Sequence, residues 1–430
     1  MNFITSHPFL FILPMGVLLL LPLTVFRKNL IYAIIPINTI ADCLVEFTGG
    51  ASASIHSGII RVPVILLIAF FYVRKIKSDK LTCSIVFFLL YLLILVLFSS
   101  NIFRSLSTYT KFAISLSMIP IAFYNIDTQA GLKRLHISLL IGAGILQINY
   151  VLAQMFHFGE KAYSEDGFYL GATGVTMTYI FCYAIAVAPL TYALLKKDRS
   201  KLIATVMYGF AAIVTLITFR RGSILAMMVS FLILLYLSSS KYKKTLISLL
   251  IFIGIGFWGV YHWQEQRLQN LFEQRIVYSI EREFDEKAFG RVNETKEVWY
   301  EFFNKSLSHS LFGSELFNSV EYFNYWKQTG RTIHIDYNNI LHGSGLIGLI
   351  LFILIFWQMI KKFKLYETTL EHPILFPQLK MVFWATVATN LVLSLSTQLW
   401  YVTSYSIFGL LIGSTLRAAK SNIAIQNNKY

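Results

Sequence analysis

The feature that most limits what this chain can become is the recurrence of apolar runs of about 18–20 residues, the length of helix that crosses a hydrocarbon core of about 30 Å. A soluble protein cannot cover that many all-apolar helices, so lipid must. Charge agrees: soluble domains carry about 25% charged residues, and this chain of 430 residues carries 14%. The expected fold class is therefore all-α, a polytopic membrane protein with about 12–13 transmembrane helices. The candidate spans are 8–25, 30–47, 59–73, 82–98, 110–126, 135–156, 174–195, 202–219, 222–237, 245–262, 339–360, 375–396 and 401–417. Pro36, Asn38, Asp42 and Glu46 interrupt 30–47, which reads as a broken or re-entrant segment of the kind tolerated where protein surrounds it. No Lys or Arg precedes the first run, so it is expected to be a retained span rather than a cleaved signal.

Short basic loops orient such chains, because Lys and Arg are kept on the cytoplasmic side. With thirteen spans, Arg27/Lys28, Arg74 to Lys80, Lys133/Arg134, Lys196 to Lys201, Lys241 to Lys244 and Lys361 to Lys364 all fall on one side, joined by Arg417 and Lys420. The other polar segments (48–58, 99–109, 157–173, 219–222, 263–338 and 397–400) then face outward. Segment 263–338 holds 12 of the 22 acidic residues but only 9 of the 37 basic ones, a composition that marks it as a separate, partly helical outward domain. Leu268, Leu271, Phe272 and Arg275 share a helical face there. The expected division is 1–262 (about ten spans), the loop domain 263–338, the C-terminal spans 339–417, and a cytoplasmic tail 418–430.

The net charge of +15 is accounted for by these loops, and no basic stripe lies on a soluble fold, so nucleic acid is not an expected partner. Cys43, Cys83 and Cys182 lie in or beside apolar spans without CxxC spacing and read as small buried hydrophobes. Neither a metal site nor a cofactor motif is present. Gly343-Ser-Gly345-Leu-Ile-Gly348 matches GxGxxG literally but opens a span with no preceding strand, so close helix packing is the better reading. Asn293-Glu-Thr295 and Asn304-Lys-Ser306 are acceptor sequons, meaningful only in a eukaryotic source.

Three constellations carry chemistry. Arg220 and Arg221, in Thr218-Phe-Arg-Arg-Gly222-Ser223, stand against the positive-inside bias at the start of a span. A guanidinium is a planar, always-charged fork for oxyanions, and free N–H groups of the helix start add to it; the bland reading is that both snorkel to headgroups. Gly290-Arg291 with Trp299 lies in the outward domain, where an ordinary surface Arg beside a core Trp is the plainer account. Arg331-Thr-Ile-His334-Ile-Asp336-Tyr337 runs into span 339–360. A His and an Asp two residues apart offer a base and its support, against a solvated interfacial loop with a belt tyrosine.

Taken in order, these elements resemble the Wzy-type O-antigen polymerase and O-antigen ligase superfamily. The matching pieces are Arg221-Gly222, Gly290-Arg291 with Trp299, Leu311-Phe312-Gly313, then His334, Asp336 and Tyr337 before Gly345-Leu-Ile-Gly348-Leu. The resemblance covers roughly 200–360; the first seven spans agree only in hydropathy. The residue before the key arginine is usually small and hydroxylated, whereas Arg220 stands there, so either arginine fills the family position.

The resemblance implies a metal-independent, inverting glycosyltransferase of the bacterial inner membrane, its active site facing the periplasm. The donor is an undecaprenyl-pyrophosphate-linked oligosaccharide, held by Arg291 and by one of Arg220 and Arg221, with Arg221 favoured because it abuts Gly222 and opens the helix. His334 serves the acceptor hydroxyl, supported by Asp336, and a chain-length regulator is an implied partner. Polymerase is favoured over ligase because the motifs are kept loosely and polymerases are the more diverged. A flippase for the same lipid-linked sugars is the reading from another class; it predicts charged residues inside several spans, whereas Asp42, Glu46 and Arg61 sit near span ends.

Overall fold

The computed structural model describes residues 30–47, 68, 71–161, 167–278, 291–314, 316, 333–368, 375–396 and 401–420. The expected span 8–25, most of 59–73, and Gly290 lie outside them. Among the described residues the chain is α-helical, with two isolated bridges, Gly159 with Gly171 and Lys161 with Tyr169, as its only extended pairing. We number the helices α1 (Leu30–Phe47), α2 (Lys80–Val96), α3 (Ile102–Asn125), α4 (Gln129–Phe156), α5 (Met177–Ala186), α6 (Ala188–Leu194), α7 (Asp198–Ile217) and α8 (Arg221–Leu237). There follow α9 (Ser240–Trp263), α10 (Glu265–Phe272), α11 (Arg291–Asn304), α12 (Leu307–Phe312), α13 (Asp336–Glu367), α14 (Phe376–Leu393) and α15 (Val402–Lys420). Six of the described helices are long and apolar enough to cross a membrane, or seven if the bent pair α5–α6 is one span. The protein is an all-α polytopic membrane protein.

Several boundaries differ from expectation for local reasons. Segment 30–47 is one helix rather than a broken one. Its polar residues face protein: Asn38 and Thr39 are buried, Thr39 bonds back to the Ile35 carbonyl, and Asp42 accepts from Thr403 on α15 at 2.5 Å. Most of 99–109, expected as an outward loop, is the first part of α3. Asn101 caps it through the Arg104 N–H, and Ser105 is buried with its hydroxyl on the Leu316 carbonyl at 2.5 Å. The expected single span 174–195 is bent by 58° between α5 and α6, since Pro189 in the first turn of α6 has no N–H for the preceding turn.

Close approaches hold the bundle together. α15 lies against α3, where a Cβ on Gly409 would meet the Ser115 carbonyl oxygen at 2.8 Å and one on Gly413 would collide with that of Ile119. This is small-residue packing of the kind lipid-embedded helices use. α8 packs along α14, and α13 along α2. At one end of the molecule Lys362 of α13 pairs with Asp79 at 2.7 Å, and Tyr124 of α3 donates to the same carboxylate at 2.5 Å. The other end carries the candidate site.

Candidate active site

The turn from α7 to α8 is built around a left-handed residue, Phe219 (φ 47°), which reverses the chain so that Arg220 is extended and α8 begins at Arg221. α5 clamps this turn from the side: Thr178 bonds the Ser223 hydroxyl at 2.7 Å, and the Cys182 thiol points at the Ser223 carbonyl. The Arg220 guanidinium lies 4.2 Å above the Tyr179 ring. Its Nη2 donates to the Tyr179 hydroxyl and to the Ser396 carbonyl at 3.5 Å, and the same hydroxyl donates to that carbonyl. Gly222 packs directly on Ser396, with no room for a Cβ.

Every partner of Arg220 among the described residues is neutral. Its Nη1 is buried with no hydrogen-bond partner, and it forms no ion pair with a described residue. A guanidinium partly withdrawn from water with no described counter-charge is costly, and an oxyanion supplies what is missing. Arg221, half-buried, opens α8 and has contacts of its own.

The second half of the site is assembled by α11 and the start of α13. Glu294 is buried on α11; one carboxylate oxygen accepts the N–H groups of His334 (2.9 Å) and Ile335 (3.0 Å), and the other stands 3.5 Å from His334 Nδ1. One turn along, Asn338 donates to Thr295 at 2.8 Å. Val298, Ile333 and Leu341 form a small apolar cluster flanked by Phe302 and Leu349. Further on, Glu301 sits 3.5 Å from His342 and 3.3 Å from Lys305. Burial alone would raise the Glu301 carboxyl, but the neighbouring His342 and Lys305 hold it below its usual range. Arg291 begins the same helix, one turn before Glu294 and on the same face.

The two halves meet at the end of α14. Tyr337 donates to the Leu391 carbonyl at 3.0 Å, while Asn390 donates to the Tyr183 hydroxyl of α5 at 3.0 Å. Asp336, the fully buried first residue of α13, is close enough for its charge to act on the hydroxyls of Tyr337 and Tyr405. Residues 391–396 thus anchor Arg220 through Ser396 and the Asp336–Tyr337 start of α13 through Leu391.

His334 is joined to Glu294, with Arg291 a turn away; Arg220 and the Asp336–Tyr337 segment are linked through residues 391–396, the end of α14 and the turn after it. Trp299, read as a core residue, is partly exposed. The Gly345 and Gly348 of the GxGxxG match serve packing: Gly345 breaks α13 (φ 64°) and Gly348 lies against Ser344 and Tyr91. Three residues that organise the site went unread in the sequence: Glu294, hidden inside a sequon, and Tyr179 and Ser396, each an unremarkable residue far from the arginine it holds.

Residues 204–353, which include Arg220, Arg221, Arg291, His334 and Asp336, match the family model Wzy_C, described as O-antigen ligase. No match to a curated protein was found. The matched segment, and the order of arginines, loop and His334 around it, support the resemblance to the Wzy-type O-antigen polymerase and O-antigen ligase superfamily.

Proposed function

We propose that this protein is an O-antigen polymerase of the inner membrane. It transfers a glycan from a polyprenyl-pyrophosphate donor to the sugar hydroxyl of another lipid-linked repeat, on the periplasmic side. The observation that carries the reading is the half-buried guanidinium of Arg220, with no counter-charge among the described residues, fixed at the same 391–396 segment that receives the start of α13.

In the proposed reaction the acceptor oxygen attacks the anomeric carbon of the donor. The new C–O bond forms as the bond to the pyrophosphate breaks, and the lipid pyrophosphate leaves with the electron pair. Arg220, Arg221 and Arg291 neutralise the charge gathering on that leaving group, the role of preorganised cations in such transition states, without a metal. His334 takes the hydroxyl proton, its ring held by Glu294, with Asp336 supporting the segment from below. A single in-line displacement inverts the anomeric centre.

The matched family is equally compatible with a second reading, a ligase that uses the same donor with lipid A–core as acceptor. Deleting the gene and resolving the lipopolysaccharide separates the two. A single repeat on the core is the result expected for a polymerase. Bare core with lipid-linked polymer accumulating means ligase, and bare core with single repeats trapped on the cytoplasmic leaflet means a flippase.

A further inference from the structure

α11 is two-sided in an unusual sense for a loop helix. One face, through Glu294, Val298, Glu301 and Phe302, is docked on α13. The face turned away is aromatic and apolar: Trp299 is 42% exposed, Tyr300 64% and Phe303 71%, continued by Leu307 at 75% in α12. Trp299 and Phe303 stack on each other at 5.9 Å, which presents one joined surface rather than scattered residues. Soluble surfaces rarely expose such a patch without a partner.

Its position identifies the partner. α12 ends at Gly313, whose N–H group bonds within the helix while Ser314 donates to the His342 carbonyl at 2.7 Å. Tyr91, inside α2 and a turn and more before its end at Val96, donates to the adjoining Ser344 carbonyl at 2.7 Å. The end of α12 therefore sits level with the interior of the apolar helix α2. The patch is also continuous with an exposed apolar stripe of α13. Phe302, next to Phe303, shares its apolar cluster with Leu349, and Leu349 is flanked by the exposed Leu346, Ile350 and Ile353.

We infer that α11 and α12 form an interfacial membrane anchor, with Trp299, Phe303 and Leu307 seated in the leaflet at the site's end of the molecule. Tryptophan, tyrosine and an amphipathic helix lying in the interface plane are the physical means by which proteins hold that depth. Lys296, one turn earlier on the same face, marks where the helix rises to the headgroups. Because Arg291 and Glu294 ride on α11, the bilayer itself sets their height, at the level where the phosphate groups of a lipid lie. The surface assignment does not depend on the glycan reading.

The test uses the full chain in nanodiscs of phosphatidylethanolamine and phosphatidylglycerol. Nitroxides are placed by Trp299→Cys, Phe303→Cys and Leu307→Cys, with Cys43, Cys83 and Cys182 replaced by Ala. Labels at Ile353 and Lys77 serve as lipid and water references. Collisional relaxation by oxygen and by nickel-EDDA reads depth. The expected result is oxygen-exposed, nickel-shielded labels at 299, 303 and 307, matching Ile353 rather than Lys77. Nickel access equal to Lys77 at all three overturns the anchor, as does aqueous access that is lost only when glycan is added. A second measurement avoids the cysteine background: brominated lipid must quench wild-type tryptophan fluorescence more than that of Trp299→Phe, and equal quenching has the same adverse meaning.

Discussion

Arg220 owes its geometry to two groups that carry no charge, the Tyr179 ring and the Ser396 carbonyl. Stacking and a planar fork are properties a lysine lacks. Arg220→Lys is therefore expected to lower polymer formation about 100-fold, the scale of a misplaced catalytic group, while the protein still elutes as a folded species in detergent. Activity near wild type would remove Arg220 from the site. Glu294 presents a different case, since one carboxylate serves two backbone N–H groups and a ring. Glu294→Gln keeps an acceptor oxygen but loses the charge, and should slow turnover while leaving thermal unfolding close to wild type. Glu294→Ala strands both N–H groups, each worth about 1–3 kcal/mol when buried and unmet, and should lower the unfolding temperature as well. Equal behaviour of the two variants in both assays would make Glu294 a packing residue only.

Elements were legible where apolar length decides them. α2, α7, α8 and α9 begin and end within a few residues of the runs read from sequence, because nothing but a bilayer-length helix suits such runs. What hydropathy missed is polar residue placement inside the bundle. Ser105 and Asp42 look like loop or break signals until their partners, Leu316 and Thr403, are brought beside them by the fold. The same holds at the site. Arg220, Arg221, Arg291, His334 and Asp336 stood out through charge in unexpected places, but Tyr179, Ser396 and Glu294 act through contacts across long sequence separations, which no local pattern records. The kink in α13 is another such feature. Gly345 (φ 64°) and Gly313 (φ 85°) interlock: a Cβ on Gly313 would stand 2.5 Å from the Gly343 carbonyl carbon, and one on Gly345 would stand 2.6 Å from the Gly313 nitrogen. Gly313→Ala combines a left-handed backbone, costing about 1–3 kcal/mol, with a clash against main chain that has no rotamer to yield. It should release α12 from α13, measurable as faster proteolysis of the 291–316 segment; unchanged cleavage would show that the contact is dispensable.

Across the whole molecule the chemistry is segregated by end. The candidate site occupies one, and the other is pinned by Asp79, which joins α2, α3 and α13 through Thr82, Tyr124 and Lys362. Burial alone would raise the Asp79 carboxyl, yet the bonds from Lys362, the Thr82 N–H and Tyr124 outweigh it and hold it below its ordinary value. A carboxyl lowered in the folded state stabilises above its unfolded pKa and ceases to do so as pH falls through the folded one. Asp79→Asn should thus melt earlier than wild type at pH 7, and the gap should close below about pH 4, near the ordinary carboxylate value. A gap that persists undiminished in acid would trace the effect to lost capping rather than charge.

The α14 turn has a consequence for how the protein is made. Ribosomes deliver Arg220 long before Ser396, and His334 before the Leu391 carbonyl that secures its neighbour Tyr337. A nascent chain halted after residue 336 but before residue 391 holds every charged group of the site and neither of the carbonyls that fix them. Under the proposed function, catalytic competence is withheld until residue 396, just past α14, has been made, so truncated products would meet lipid-linked sugars with no assembled centre to join them.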